Sequence, residues 1–190
     1  MNCLTVKDFR DYEKLSRALR RIEDGAAVKN PKFAEMISAR IKEIQTKLES
    51  LDDAIKSETE DYIRSALQGL KNEKSWTEIG GYTADARRKG IERHLRVLYP
   101  QQRVDSISCK LEVRELIKKL KEPNAEKKGE IMTSLLEASL KPNDDLAWCI
   151  MILRYFEEMS YKDISKCIYN SQYKRGESKS RNYLERYLMA

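Results

Sequence analysis

Two stretches of this 190-residue chain concentrate groups that bind anions. Across 86–103 lie Arg87, Arg88, Lys89, Arg93, Arg96 and Arg103, against Glu92 alone. Across 172–190 lie Lys174, Arg175, Lys179, Arg181 and Arg186, against Glu177 and Glu185. The windows carry a net +5 and +3, more together than the +6 of the whole chain, so the remainder is slightly acidic. Cations of this kind neutralise phosphates. In a DNA major groove Arg and Lys also donate to guanine O6 and N7, and Asn pairs with adenine N6 and N7. At 100° per residue Lys89, Arg93 and Arg96 fall on one side of a helix, opposite Ile91, Leu95 and Leu98. In the second window Lys179, Asn182 and Arg186 point out while Leu184 and Leu188 point in.

Such a helix needs a scaffold, and the chain spells one out twice. Residues 67–79, LQGLKNEKSWTEI, align with 152–164, ILRYFEEMSYKDI, at a shift of 85. Leu67 matches Ile152, Leu70 matches Tyr155, Ser75-Trp76 matches Ser160-Tyr161, and Glu78-Ile79 matches Asp163-Ile164. GIERHL (90–95) then matches YLERYL (183–188) at a shift of 93, so the second copy has about eight extra residues in its turn. Two matched blocks in one order indicate an internal duplication. In each copy an apolar helix (60–70, and 144–158) forms the floor. Ser75 or Ser160 caps a short helix, with an acid at its third position as in a capping box. Trp76 and Ile79, or Tyr161 and Ile164, give that helix an apolar face. The basic helix follows. This is a helix-turn-helix rhythm.

The remaining elements are helical too. Phe9, Tyr12, Leu15, Leu19 and Ile22 predict an amphipathic helix over 7–24, stopped by Gly25. From Ala34 through Ile37, Ile41, Ile44, Leu48, Leu51 and Ile55 the steps alternate three and four, a heptad seam. The seam is compatible with a coiled coil joining two copies of the chain, and equally with a helical hairpin closed inside one chain, paired with 7–24. Helices are expected at 107–121 (Ile107, Leu111, Ile117, Leu120), 126–140 (Ile131, Leu135, Leu136) and 144–158, with Pro100, Pro123 and Pro142 between them. No segment sustains period-two alternation, so the expected class is all-α. The organisation reads as a hairpin or coiled-coil segment (1–58), a first helix-turn-helix-like unit (59–100), connecting helices (101–143) and a second unit (144–190).

At LRYFEEMSYKDISKCI (153–168) the chain resembles the C-terminal DNA-binding region of bacterial sigma factors. There a leucine-rich helix ending in Arg-Tyr-Phe precedes a Ser-Tyr-x-x-Ile helix. It is similar as well to small sigma-like regulators of phages and mobile elements. The resemblance covers 144–190 and, more weakly, 60–98. It implies promoter or operator DNA as the ligand, contacted by Lys179, Arg181, Asn182 and Arg186. NSQYKRGESKS stands where the family has a few turn residues, and nothing matches a sigma factor's region for the −10 element.

Other chemistries find little footing. Gly80-Gly81 is not a phosphate-cradling loop. Asp52-Asp53 and Asp144-Asp145 are neighbours about 100° apart on a helix and do not converge on one centre. His94, the single histidine, excludes paired-histidine chemistry. Cys3, Cys109, Cys149 and Cys167 are scattered without metal spacing and fit a reducing cytoplasm, with Cys149 and Cys167 as core residues. Trp148, Tyr155 and Phe156 read as core. No run reaches the roughly 18 apolar residues of a membrane span. With 7 glycines and 4 prolines in 190 residues, a turn-rich barrel or sandwich is excluded. The expectation is a non-enzymatic cytoplasmic DNA-binding regulator without metal or cofactor. A homodimer through the heptad seam would read two half-sites. The alternative is a phage-encoded interaction protein or inhibitor whose basic surfaces grip a protein or nucleoprotein machine such as RNA polymerase.

Overall fold

The computed structural model describes residues 4–25, 31–80, 83–99, 107–122, 127–139, 144–169 and 182. Every regular element among them is helical, and no strand occurs. The elements are α1 (Val6–Glu23), α2 (Pro31–Ser57), α3 (Asp61–Lys71), α4 (Trp76–Ile79), α5 (Ala84–Leu98), α6 (Ile107–Leu120), α7 (Lys128–Ser139), α8 (Asp145–Met151) running into a π-helical turn (Ile152–Phe156), and α9 (Tyr161–Tyr169). Pro31 opens α2, where its missing N–H costs nothing.

The chain divides into two compact units, neither contiguous in sequence. Unit 1 comprises 1–16 and 42–103; unit 2 comprises 17–41 and 104–190. The N-terminal pair of helices is thus not a segment apart: α1 and α2 each contribute one part to each unit. Every unit receives one copy of the duplicated motif.

In unit 1 the first turns of α1 lie along α2, tied by Lys47 to Asp8 at 2.6 Å and by the Tyr12 hydroxyl donating to Asp52 at 2.7 Å. Lys71 at the end of α3 pairs with the same Asp52 and sits 4.1 Å over the Tyr12 ring, so three elements meet at one carboxylate. Phe9, Leu15, Ile44, Leu51, Leu67, Leu70 and Ile91 are fully buried beneath this polar clasp. In unit 2 Phe33 meets Phe156 edge to face at 5.4 Å, and Arg40 of α2 pairs with Asp145 of α8 at 2.8 Å. Arg17 donates to the Ile168 carbonyl at 2.8 Å, while α6 packs on α7.

The heptad seam is closed within the chain. Ile37, Ile41, Ile44, Leu48, Leu51 and Ile55 are each at most 8% exposed in the single copy, so these side chains present no open stripe to a second one. Their spacing allowed this intrachain arrangement as readily as a dimer. Three apolar expectations need correction. Leu98, placed in the core by its spacing, is 51% exposed because α5 ends there. Leu111 is 56% exposed, and Val113 takes the buried position on α6 instead. Trp76 and Ile79 are only half-buried, because α4 is a single turn of four residues and covers little surface.

Candidate nucleic-acid interface

The floor of the first copy is α3, which buries Ile63, Ala66, Leu67, Gly69 and Leu70. Gly69 lets α4 come close: a Cβ there would lie 2.8 Å from Ile79 Cγ1. Chain direction changes at Glu73, whose φ of 59° is in the left-handed region. Ser75 then starts α4 with a complete capping box. Its hydroxyl accepts the Glu78 N–H at 3.3 Å, and the Glu78 carboxylate accepts the Ser75 N–H at 2.6 Å. Gly80 at φ 77° ends the turn.

The second copy repeats this chemistry at the shift of 85. Glu158 takes φ 55°, the counterpart of Glu73, and no other non-glycine among the described residues has positive φ. A side chain there costs on the order of 1 kcal/mol, so its recurrence is specific. The Ser160 hydroxyl accepts the Asp163 N–H at 3.1 Å and donates to its carboxylate at 2.6 Å; aspartate is too short to return the second capping-box bond. The aromatic after the cap lies under a guanidinium in both copies, Arg10 over Trp76 at 5.1 Å and Arg154 over Tyr161 at 5.0 Å. Ile164 is fully buried, unlike Ile79. The second floor differs by its π-helical turn, which buries Ile152, Leu153 and Phe156.

Helix α5 is held by Ile91 and Leu95, at 0% and 2% exposure. The cations on it divide into three kinds. Arg87 belongs to the scaffold, contrary to the groove-facing role its charge suggested. Its Nη1 donates to the Ile79 carbonyl at 2.7 Å and its Nε to the Tyr62 hydroxyl at 3.2 Å, with the guanidinium 4.7 Å over the Tyr62 ring. It joins α5 to both preceding helices. Arg88 and Lys89 are exposed and, among the described residues, pair along their own helix. Arg88 reaches Asp85 at 3.1 Å and Glu92 at 3.8 Å, and Lys89 reaches Asp85 at 2.7 Å. Exposed pairs of this spacing are worth a few tenths of a kcal/mol and leave both cations available. Arg93 and Arg96 are exposed and have no hydrogen-bond or ion-pair partner among the described residues. Around them on the same side lie Ala86, Gly90 and Val97, all exposed, so the cations stand on a low surface.

In the second basic window Asn182 is helical and exposed. Lys174, Arg175, Lys179, Arg181 and Arg186 lie outside the described residues, as does Arg103 of the first window.

One polar centre of α5 was not foreseen. His94 Nε2 meets Glu58 Oε2 at 2.8 Å, and Glu58 Oε1 accepts the Glu60 N–H at 3.0 Å. The Glu58 side chain is 7% exposed. Burial alone would raise its carboxyl, but the N–H groups of Glu60 and Thr59 and the His94 imidazole outweigh that and hold it below its ordinary value of 4.5. Arg64 grips the Glu58 main-chain carbonyl, with Nε at 2.9 Å.

Elsewhere the chemistry is quiet. Cys149 is fully buried and burial pushes its thiol far up; burial also raises Cys167. Both suit packing better than nucleophilic attack. No three metal-binding side chains cluster among the described residues, and no helix there is long and apolar enough to cross a membrane. No family model, characterised protein or solved structure matches the chain.

Arg87→Ala removes two hydrogen bonds and a cation–π contact, so it lowers unfolding free energy by about 2 kcal/mol. Arg93→Ala, by contrast, stays within about 0.5 kcal/mol of the parent in urea titration. For Glu58 the depressed carboxyl stabilises the fold above the ordinary value of 4.5 and loses that contribution as pH falls through its lower folded value. Stability below pH 4.5 therefore declines less steeply in Glu58→Gln than in the parent, as read from urea midpoints across the acid range.

Proposed function

We propose that the chain is a sequence-specific duplex-DNA-binding regulator of transcription of the phage or mobile-element type, with α5 as its reading helix. The observation that carries this reading is the face formed by Lys89, Arg93 and Arg96. It is exposed, while Ile91 and Leu95 on the opposite side are buried and Arg87 ties α5 to α3 and the capped α4. Phosphate neutralisation supplies most of the affinity, and side chains on the outward face supply the discrimination among bases. In the second basic window Asn182 is exposed as well. Selection of bound duplexes from a random pool tests the reading directly. A consensus sequence is expected, and recovery no better than chance would reject it.

Gly90 gives a sharper test. A Cβ at this position meets nothing within 4 Å. Alanine there strengthens the isolated fold by up to about 1 kcal/mol. If the low surface beside Arg93 enters a groove, the same methyl group weakens duplex binding. A variant that is both more stable and equally tight would place the contact elsewhere.

A second reading draws on Val97, 77% exposed beside the same arginines, and Leu98, 51% exposed at the end of the helix. Apolar side chains among cations suit an acidic protein surface, as in an inhibitor or an adaptor for RNA polymerase. Salt separates the two. A DNA binder loses affinity steeply between about 50 and 200 mM salt. A protein contact resting on Val97 and Leu98 does not.

A further inference from the structure

Behind α5, on the side away from its cations, unit 1 forms a cavity of about 280 Å³ that opens to solvent. Its floor is apolar, built by Ala54, Leu67 and Leu95, and Leu98 stands at its edge. One wall is the Glu58–His94 pair, with Thr59 and Glu60 beside it on the connection between α2 and α3. We propose that this cavity binds a small organic cation, a primary amine carrying a short apolar body.

Four observations fix that chemistry. Glu58 is buried but stays ionised, since its carboxyl lies below the ordinary range. A carboxylate has about four acceptor positions. Here three are met, by the Glu60 and Thr59 N–H groups and by His94. Arg64 does not serve the carboxylate: its guanidinium goes to the Glu58 carbonyl and, at 2.9 Å, to Asp61. An ammonium group is the donor that fits the remaining position, with its hydrocarbon on Leu67, Leu95 and Leu98. The Glu58 carboxylate disfavours anions, and no three metal-binding side chains are grouped there among the described residues. This site is independent of the nucleic-acid reading.

The experiment titrates the full chain with 2-phenylethylamine, 2-phenylethanol and phenylacetate while following the ring resonances of His94, the single histidine. The amine is expected to give a saturable shift, the alcohol to bind at least tenfold more weakly, and the acid to give none. Glu58→Gln weakens the amine at least tenfold. Leu98→Trp fills the edge of the cavity, leaves Glu58 in place and abolishes the shift, so the proposal stays testable even if Glu58→Gln does not fold. No response to the amine, an equal response to the alcohol, or an amine response unchanged in Leu98→Trp overturns it.

Discussion

With α5 as the proposed reading helix, replacing Arg93 and Arg96 together by alanine is expected to lower affinity for duplex DNA about a hundredfold near 0.1 M salt. Each guanidinium at a phosphate or base edge contributes on the order of 1–3 kcal/mol. The slope of log affinity against log salt flattens by about 2, one unit for each lost phosphate contact. Stability is the control. Both side chains are exposed and unpaired among the described residues, so the unfolding midpoint stays where it was. Lys89 responds less, because Asp85 at 2.7 Å already competes for it. The Lys89 ammonium in turn holds the Asp85 carboxyl below its ordinary value. Fluorescence anisotropy across a salt series gives both numbers. Unchanged affinity and slope would remove α5 from the interface.

The largest loss of stability is expected in unit 2. Arg40 and Asp145 meet at 2.8 Å with side chains 14% and 9% exposed. Removing one partner of such a pair takes the ion pair from a charge that is largely shielded from water. Asp145→Ala therefore costs about 3 kcal/mol. The double replacement Arg40→Met with Asp145→Ala recovers most of it, because no charge then stays buried. Urea denaturation of the parent, both singles and the double closes the cycle. A single variant that loses under about 1 kcal/mol would mean that water reaches Arg40 freely.

What could be read in advance was local. The serine caps, the acids three positions later and the shift of 85 rest on short-range hydrogen bonds, and the structure places all of them. The all-helical class followed from the spacing of apolar residues in the same way. Pairing between distant residues was hidden. Nothing in Arg87 distinguishes it from Arg93 until Tyr62 and the Ile79 carbonyl come within reach. Glu58 sits at the end of a charged helix and looks like a solvated residue, and only the arrival of His94 from 36 residues on reveals it as buried. The heptad seam was ambiguous for a similar reason, since periodicity says which face is apolar but not whose side chains will cover it. Leu98 and Val113 turned on where helices stop and which face meets a neighbour, neither of which spacing decides.

The interleaved make-up of the two units bears on any attempt to dissect the protein. Severing the backbone between 103 and 104 leaves 17–41 on the N-terminal piece, although unit 2 is completed by those residues. Excising 59–100 separates the first motif from Ile44, Leu48 and Leu51, buried residues of the same unit. Inactive truncations of this chain would therefore report lost backing helices, not a lost activity. Genetic mapping has to proceed by point changes within an uncut polypeptide.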